Sequence, residues 1–316
     1  MSGQKISSKN KAVNAARKRI QSNRTERFNA EQIASAIIEG KREELAKAIT
    51  LIESENPSDR PHAQDLLQAV KALSPGEETL RIGITGIPGV GKSTFIERLG
   101  LDFIKDGNKV AVLAVDPSSK RTGGSILGDK TRMDELAVHP SAFVRPSPAA
   151  ATLGGVARAT MEAVILCEAA GYNRVIIETV GVGQSETSVR EMVDVFTLLL
   201  IGGAGDEVQG IKRGIVEMAD LLVVHKADGE RIDTCLKTAQ SYTNSLHLFP
   251  LPEGGETVKV LTASSTTGDG HDKVRKEMVR LWKVWRKSGF YDSQRSNQQS
   301  DRMLSHAKDI LIDQRL

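Results

Sequence analysis

Nine consecutive residues constrain this chain more than any other part of it. Gly86-Ile87-Pro88-Gly89-Val90-Gly91-Lys92-Ser93-Thr94 satisfies G-x-x-x-x-G-K-[ST], directly after an apolar run, Leu80–Thr85, and just before a helical stretch, Phe95–Ile104. In a chain of 316 residues a chance match is on the order of one in a hundred, even before that context is required. The spacing has a mechanical reason. Glycines let the backbone curl until successive N–H groups point at phosphate oxygens, and the start of the following helix adds partial positive charge. Gly89, Val90, Gly91 and Thr94 then belong to the cradle, Lys92 reaches the β and γ phosphates, and the Ser93 hydroxyl ligates Mg²⁺.

The surrounding pattern agrees. Short apolar runs at Leu80–Thr85, Val110–Val115, Val175–Thr179, Val195–Ile201, Leu221–Val224 and Val258–Thr262 are mostly separated by helical stretches. Runs without polar alternation belong to strands covered on both faces, which predicts an α/β fold with a mainly parallel, doubly wound sheet. Ligands of such sheets bind at the carboxyl ends of the strands. Helical patterns flank this core. Asn29 stands three residues before Gln32 as in a capping box, Ile33 and Ile37 share a face, Leu45, Ile49 and Ile52 form a second stripe, and Ala63–Leu73 a third helix before Pro75-Gly76. Val274, Met278, Leu281 and Trp285 form a C-terminal stripe, and Met303, Leu304, Ala307, Ile310 and Leu311 another. Those faces need cover, from their own domain or from a second subunit, and helical arms at both ends favour the subunit. The expected organisation is a basic tail over 1–27, a helical arm over 28–76, a P-loop domain over 77–268 and a C-terminal helical dimerisation arm over 269–316.

Composition removes several classes. Val195–Ile201, the longest apolar run, is far short of the roughly 20 residues that span a bilayer. Cys167 and Cys235 lie far apart, so neither a disulfide framework nor a thiolate zinc site is indicated, and a reducing compartment is expected: the cytoplasm, or the mitochondrial matrix in a eukaryote. The formal net charge of +3 is unevenly placed: Lys5, Lys9, Lys11, Arg17, Lys18, Arg19, Arg24 and Arg27 face a single acid, Glu26. Such a tail reads as a solvated arm, a contact for an acidic partner surface or an organelle-targeting peptide. No nucleic-acid or membrane partner is expected.

A phosphate-bound magnesium needs carboxylates at neighbouring strand ends. Asp116 ends the Val110–Val115 run, Glu178 ends Val175–Ile177, and Asp129 lies on the loop after Thr122-Gly123-Gly124. Strand Leu221–Val224 runs into His225-Lys226-Ala227-Asp228, one residue away from the N-K-x-D element that reads guanine. Asp228 can accept from N1–H and the N2 amino group of guanine, whereas adenine offers neither and would leave the carboxylate unpaired. At the Asn position His225 offers an imidazole N–H with a different reach, or is an ordinary strand-end residue. Ser264-Ser265 follows the last strand, where GTPases commonly place a loop closing over the base.

Four further segments carry a resemblance: Val115–Ser119 (VDPSS), Thr122–Met133 (TGGSILGDKTRM), Glu178–Glu186 (ETVGVGQSE) and Gly203–Lys212 (GAGDEVQGIK). With the phosphate loop and Asp228 they make the chain similar to the MeaB/ArgK-type GTPases, the G-protein chaperones of adenosylcobalamin-dependent acyl-CoA mutases. The resemblance implies a homodimeric GTPase, with GTP or GDP as ligand, whose nucleotide state gates adenosylcobalamin loading and protects or reactivates the mutase. It implies a first switch containing Asp116 and Asp129, a Glu178 standing where many GTPases carry the Asp of D-x-x-G, and a third switch, Asp206, Glu207, Gln209 and Lys212, that faces the partner. For hydrolysis Lys92 and Mg²⁺ supply charge, Gln184 is a candidate to align water, and Arg132 and Lys212 could add positive charge once a partner orders their loops. Slow turnover that rises with the partner is expected. The rivals are a nucleotide-bound scaffold with little catalysis, an ATP-using kinase or ATPase linked to amino-acid transport, and a nickel-delivering GTPase, whose histidines would cluster where those here are scattered.

Overall fold

The computed structural model describes residues 28–74, 76, 78–115, 133–146, 153–179, 185–203 and 213–313. The basic tail, Asp116, Asp129, Arg132, Gln184, Asp206, Glu207, Gln209 and Lys212 lie outside the described residues. The chain divides into two compact units, 1–74 and 75–316.

In the first unit, helices α1 (Ala30–Ile38), α2 (Arg42–Ile52) and α3 (Arg60–Leu73) pack on one another. Asn29 caps α1 as expected, its Oδ1 accepting the Gln32 N–H at 3.0 Å. Ile37, Leu45, Ile49, Ile52, Leu66 and Val70 are all buried.

The second unit alternates strands and helices: β1 (Leu80–Gly86), α4 (Lys92–Lys105), β2 (Val110–Val115), α5 (Asp134–Val138), β3 (Ala142–Pro146), α6 (Leu153–Ala169), β4 (Arg174–Thr179), α7 (Ser185–Arg190), β5 (Val195–Ile201), α8 (Arg213–Met218), β6 (Leu221–His225), α9 (Ile232–Leu246), β7 (Lys259–Ala263), α10 (His271–Ser288) and α11 (Phe290–Asp313). The seven described strands form one sheet in the order β3-β2-β4-β1-β5-β6-β7, and every pairing is parallel. β1 is central, every one of its residues buried, as continuous apolar runs require when helices cover both faces.

Six of these strands coincide with the expected runs to within a residue or two. β3 was not expected. It is short, carries Pro146 at its end and pairs with β2 alone, an edge position where a missing N–H costs no ladder bond.

The C-terminal stripe departs from the cover favoured by the sequence. Val274, Met278, Leu281 and Trp285 of α10 sit in the same apolar core as Phe95, Leu99 and Phe103 of α4 and the buried residues of β1. A face packed on its own domain is not available to a second subunit. On α11, Met303 and Leu304 remain exposed. Near its start that helix is anchored by Arg295, which holds Asp194 through two 2.8 Å bonds.

Candidate nucleotide site

Between β1 and α4 the loop adopts the backbone its glycines allow. Gly89 and Gly91 have φ of 81° and 92°, in the left-handed region, and a Cβ on Gly91 would stand 3.0 Å from the His225 ring. The Lys92 ammonium donates to the Gly86 carbonyl at 2.8 Å and to that of Ile87 at 3.4 Å, so it lies along the inside of the loop. Phe95 N–H donates to the Gly91 carbonyl at 2.9 Å, starting α4 with its N-terminus directed at the loop. Thr94 is exposed beside it.

Ser93 Oγ donates to Glu178 Oε1 at 3.3 Å. Both residues are buried at the carboxyl edge, Ser93 in the first turn of α4 and Glu178 near the end of β4. Two hard oxygen donors held together beside the phosphate loop suit magnesium, which takes few protein ligands and keeps waters. The structure thus brings together two of the four expected metal ligands, Asp116 and Asp129 being outside the described residues.

At the end of β6 the expected base-reading residues also converge. Asp228 is half-buried, and one of its carboxylate oxygens accepts a bond from the Ser264 hydroxyl. Lys226 takes φ 60°, the single described non-glycine residue at positive φ, and its ammonium reaches the Gly89 carbonyl at 2.8 Å. That backbone is uncommon for a lysine and places its side chain across the phosphate loop. His225 is buried, its Nδ1 lying 2.7 Å from the Val90 carbonyl and its Nε2 2.7 Å from Ser265 Oγ. The loop carrying Asp228 is therefore tied twice to the loop that would carry phosphates.

One member of this constellation escaped the sequence reading. His271, the first residue of α10, places Nε2 3.0 Å from Ser265 Oγ. The sequence cue was a histidine opening a helix just after Gly268-Asp269-Gly270, close behind the serine pair.

The phosphate loop, the Ser93–Glu178 oxygen pair and the Asp228 carboxylate thus stand on one sheet edge. Residues 45–316 match the family described as methylmalonyl Co-A mutase-associated GTPase MeaB. The chain belongs to the MeaB family of GTPases. It is 49% identical over 286 residues to a protein of Caulobacter vibrioides named as a GTPase, covering 90% of this chain and 87% of that one. It is 48% identical over 236 residues to GTPase ArgK of Escherichia coli, covering 75% and 71%, and 48% identical over 257 residues to the mitochondrial methylmalonic aciduria type A homolog of Mus musculus, covering 79% and 62%. The crystal structure of a LAO/AO transport system kinase superposes with a TM-score of 0.77 at 35% identity, covering 91% of this chain and 86% of that one. The P-loop GTPase fold of this MeaB-family member follows, and with it guanine-nucleotide binding and GTP hydrolysis. Among the described residues no helix is long and apolar enough to cross a membrane.

Proposed function

We propose that this GTPase is a chaperone of an adenosylcobalamin-dependent acyl-CoA mutase, its nucleotide state gating cofactor loading and the protection or reactivation of the mutase. The family match over residues 45–316 supports the partner class. One observation carries the guanine reading: Asp228 is held by Ser264 on a loop whose neighbours His225 and Lys226 grip Val90 and Gly89. A carboxylate fixed in that way can accept from two guanine donors at once and finds no matching pair on adenine.

In hydrolysis, water attacks the γ-phosphorus and the bond to the β–γ bridging oxygen breaks, leaving GDP and phosphate. The Lys92 ammonium, moved from the loop carbonyls to the β and γ oxygens, neutralises charge that grows on them. Ser93 and Glu178, with Asp116 and Asp129, would hold magnesium, which when bound adds further neutralisation of the phosphates. Gln184 is assigned to aligning the water. Arg132 and Lys212 supply positive charge when the mutase orders their loops, and Asp206, Glu207 and Gln209 lie on the partner-facing switch. Turnover is accordingly slow alone and rises with the mutase. The protein acts as a homodimer through α11 of its C-terminal arm, where Met303 and Leu304 are exposed, in the cytoplasm or, in a eukaryote, the mitochondrial matrix.

The test is phosphate release from GTP and ATP, alone and with methylmalonyl-CoA mutase loaded with adenosylcobalamin. GTP-specific release that rises with the mutase is expected. Equal rates with and without it would remove the chaperone reading, and ATP preference would remove the base assignment.

A further inference from the structure

An imidazole buried at the Asn position of a base-reading element faces a problem that Asn does not. Nδ1 of His stands the same number of bonds from the backbone as Nδ2 of Asn, so either residue can donate to the Val90 carbonyl. Only His extends a second polar atom beyond that point, and His225 is 2% exposed, so its Nε2 needs a partner inside the protein. Ser265 Oγ is that partner, and His271, 1% exposed, lies behind it.

The proton positions follow by elimination. A carbonyl oxygen only accepts, so the Val90 contact fixes the proton of neutral His225 on Nδ1. Its Nε2 must then accept, and the Ser265 hydroxyl spends its one proton there. The Ser265 oxygen is left to accept, which makes His271 Nε2 the donor. The chain runs His271 Nε2–H to Ser265 O–H to His225 Nε2, and His225 Nδ1–H to Val90, linking the start of α10 to the phosphate loop.

We propose that Ser265 and His271 are positioning residues for His225: they hold its imidazole as a neutral Nδ1–H donor to the phosphate loop and thereby set how long a guanine nucleotide is retained. The proposal rests on the guanine-nucleotide reading above. Protonating His225 would turn its Nε2 into a donor and force the Ser265 proton toward His271. His271 would then have to carry its own proton on Nδ1, turning an unpartnered buried lone pair into an unpartnered buried N–H, which proteins tolerate less often. The relay thus opposes that charge by geometry as well as by burial, and burial does push both imidazoles below the ordinary histidine value, His271 to about 4. The charged and titratable groups facing the pair are Lys226 and Asp228 on the loop of His225, Cys235 of α9, whose sulfur lies 3.9 Å from the His225 carbonyl oxygen, and Arg98 and Asp102 of α4, beside His271.

Two measurements on the full chain test this. Side-chain ¹⁵N NMR, with or without nucleotide, should show His225 protonated on Nδ1 and unprotonated on Nε2 at neutral pH. Release of fluorescent GDP between pH 5 and 8 should be about fivefold faster at neutral pH in His271→Leu and Ser265→Ala, the loss expected for one hydrogen bond. In both variants the acid acceleration of release should begin roughly one pH unit higher than in the wild type. His225→Asn should lose that acceleration. Preference for GDP over ADP should persist in Ser265→Ala and His271→Leu, because Asp228 still reads the base. A His225 carrying its proton on Nε2, or release profiles unmoved in both variants, would overturn the proposal. Failure of the wild type to bind guanine nucleotide would instead remove the function proposed above, while the NMR result would still decide the relay.

Discussion

The two edges of the sheet use buried polar groups in opposite ways. At the amino edge they close on one another: Arg81 and Glu168 make a bidentate pair with both bonds at 2.7 Å, Asp194 accepts from the Arg81 backbone and twice from Arg295, and Arg295 also reaches Thr79. Asp220 accepts from the Phe196 N–H and from Arg190 on the same edge. At the carboxyl edge the bonds of Ser93 to Glu178 and of Thr179 to Thr85 still join elements, but most of the other polar contacts run to the phosphate loop. Lys92, Lys226 and His225 all bond carbonyl oxygens of the phosphate loop, contacts that a nucleotide can borrow or reinforce. One edge holds the domain together and the other holds a binding surface in shape.

The largest effect that separates them is expected at the amino edge. Arg295→Met strands Asp194, which is fully buried, and should lower unfolding free energy by about 4 kcal/mol in urea titration while leaving the GDP-to-ADP preference intact. A change of nucleotide preference instead would erase the division between the edges. Next is Lys92→Ala, which should cut GTP turnover roughly hundredfold with little movement of the unfolding midpoint. Asp228→Asn should follow, losing guanine preference by about tenfold in competition binding, since a carboxylate accepts from both guanine donors where an amide oxygen accepts and its NH₂ clashes.

Acid gives the smallest net effect and the sharpest contrast. His225 and His271 have folded values below their unfolded value near 6.5, so the unfolded chain binds more protons and stability falls as pH drops below that value. Asp220 has the opposite sign. Burial raises it to about 6 from 3.8, so the folded state binds more protons between those values and stability rises as pH falls through them. Between pH 7 and 5 the terms oppose and the net change should be on the order of 1 kcal/mol. Asp220→Asn should make acid destabilisation steeper, and a flatter curve would contradict the assignment.

Much of the carboxyl edge was legible because its chemistry is written in adjacent residues. Gly86 to Thr94 is one uninterrupted motif, and His225 to Asp228 another, so local spacing sufficed. The relay was not legible. Its bonds join residues 135, 40 and 6 positions apart: the short step from Ser265 to His271 has a local cue, but nothing along the chain brings that pair to His225 or Val90. The amino-edge network is equally distributed: the bonds from Arg81 to Glu168 and from Arg295 to Asp194 span 87 and 101 residues. β3 escaped because five residues bordered by prolines carry more turn signal than strand signal, and pairing to β2 overrides it. The α10 stripe is apolar at helical spacing, but periodicity does not say which surface covers it.

The place of β1 at the centre of the sheet has a consequence for how the protein is made. Its side-chain and backbone partners include Thr179, 94 residues beyond Thr85, and Asp194, 113 residues beyond Arg81. A chain leaving the ribosome therefore presents its phosphate loop long before the strands that flank it exist. Contacts of that separation slow folding, because the intervening loop must close before any of them forms. Because Asp228, Ser265 and His271 come later still, the first GTP the chain retains should mark arrival of β6, β7 and the start of α10, making nucleotide capture a clock for the closing of the core.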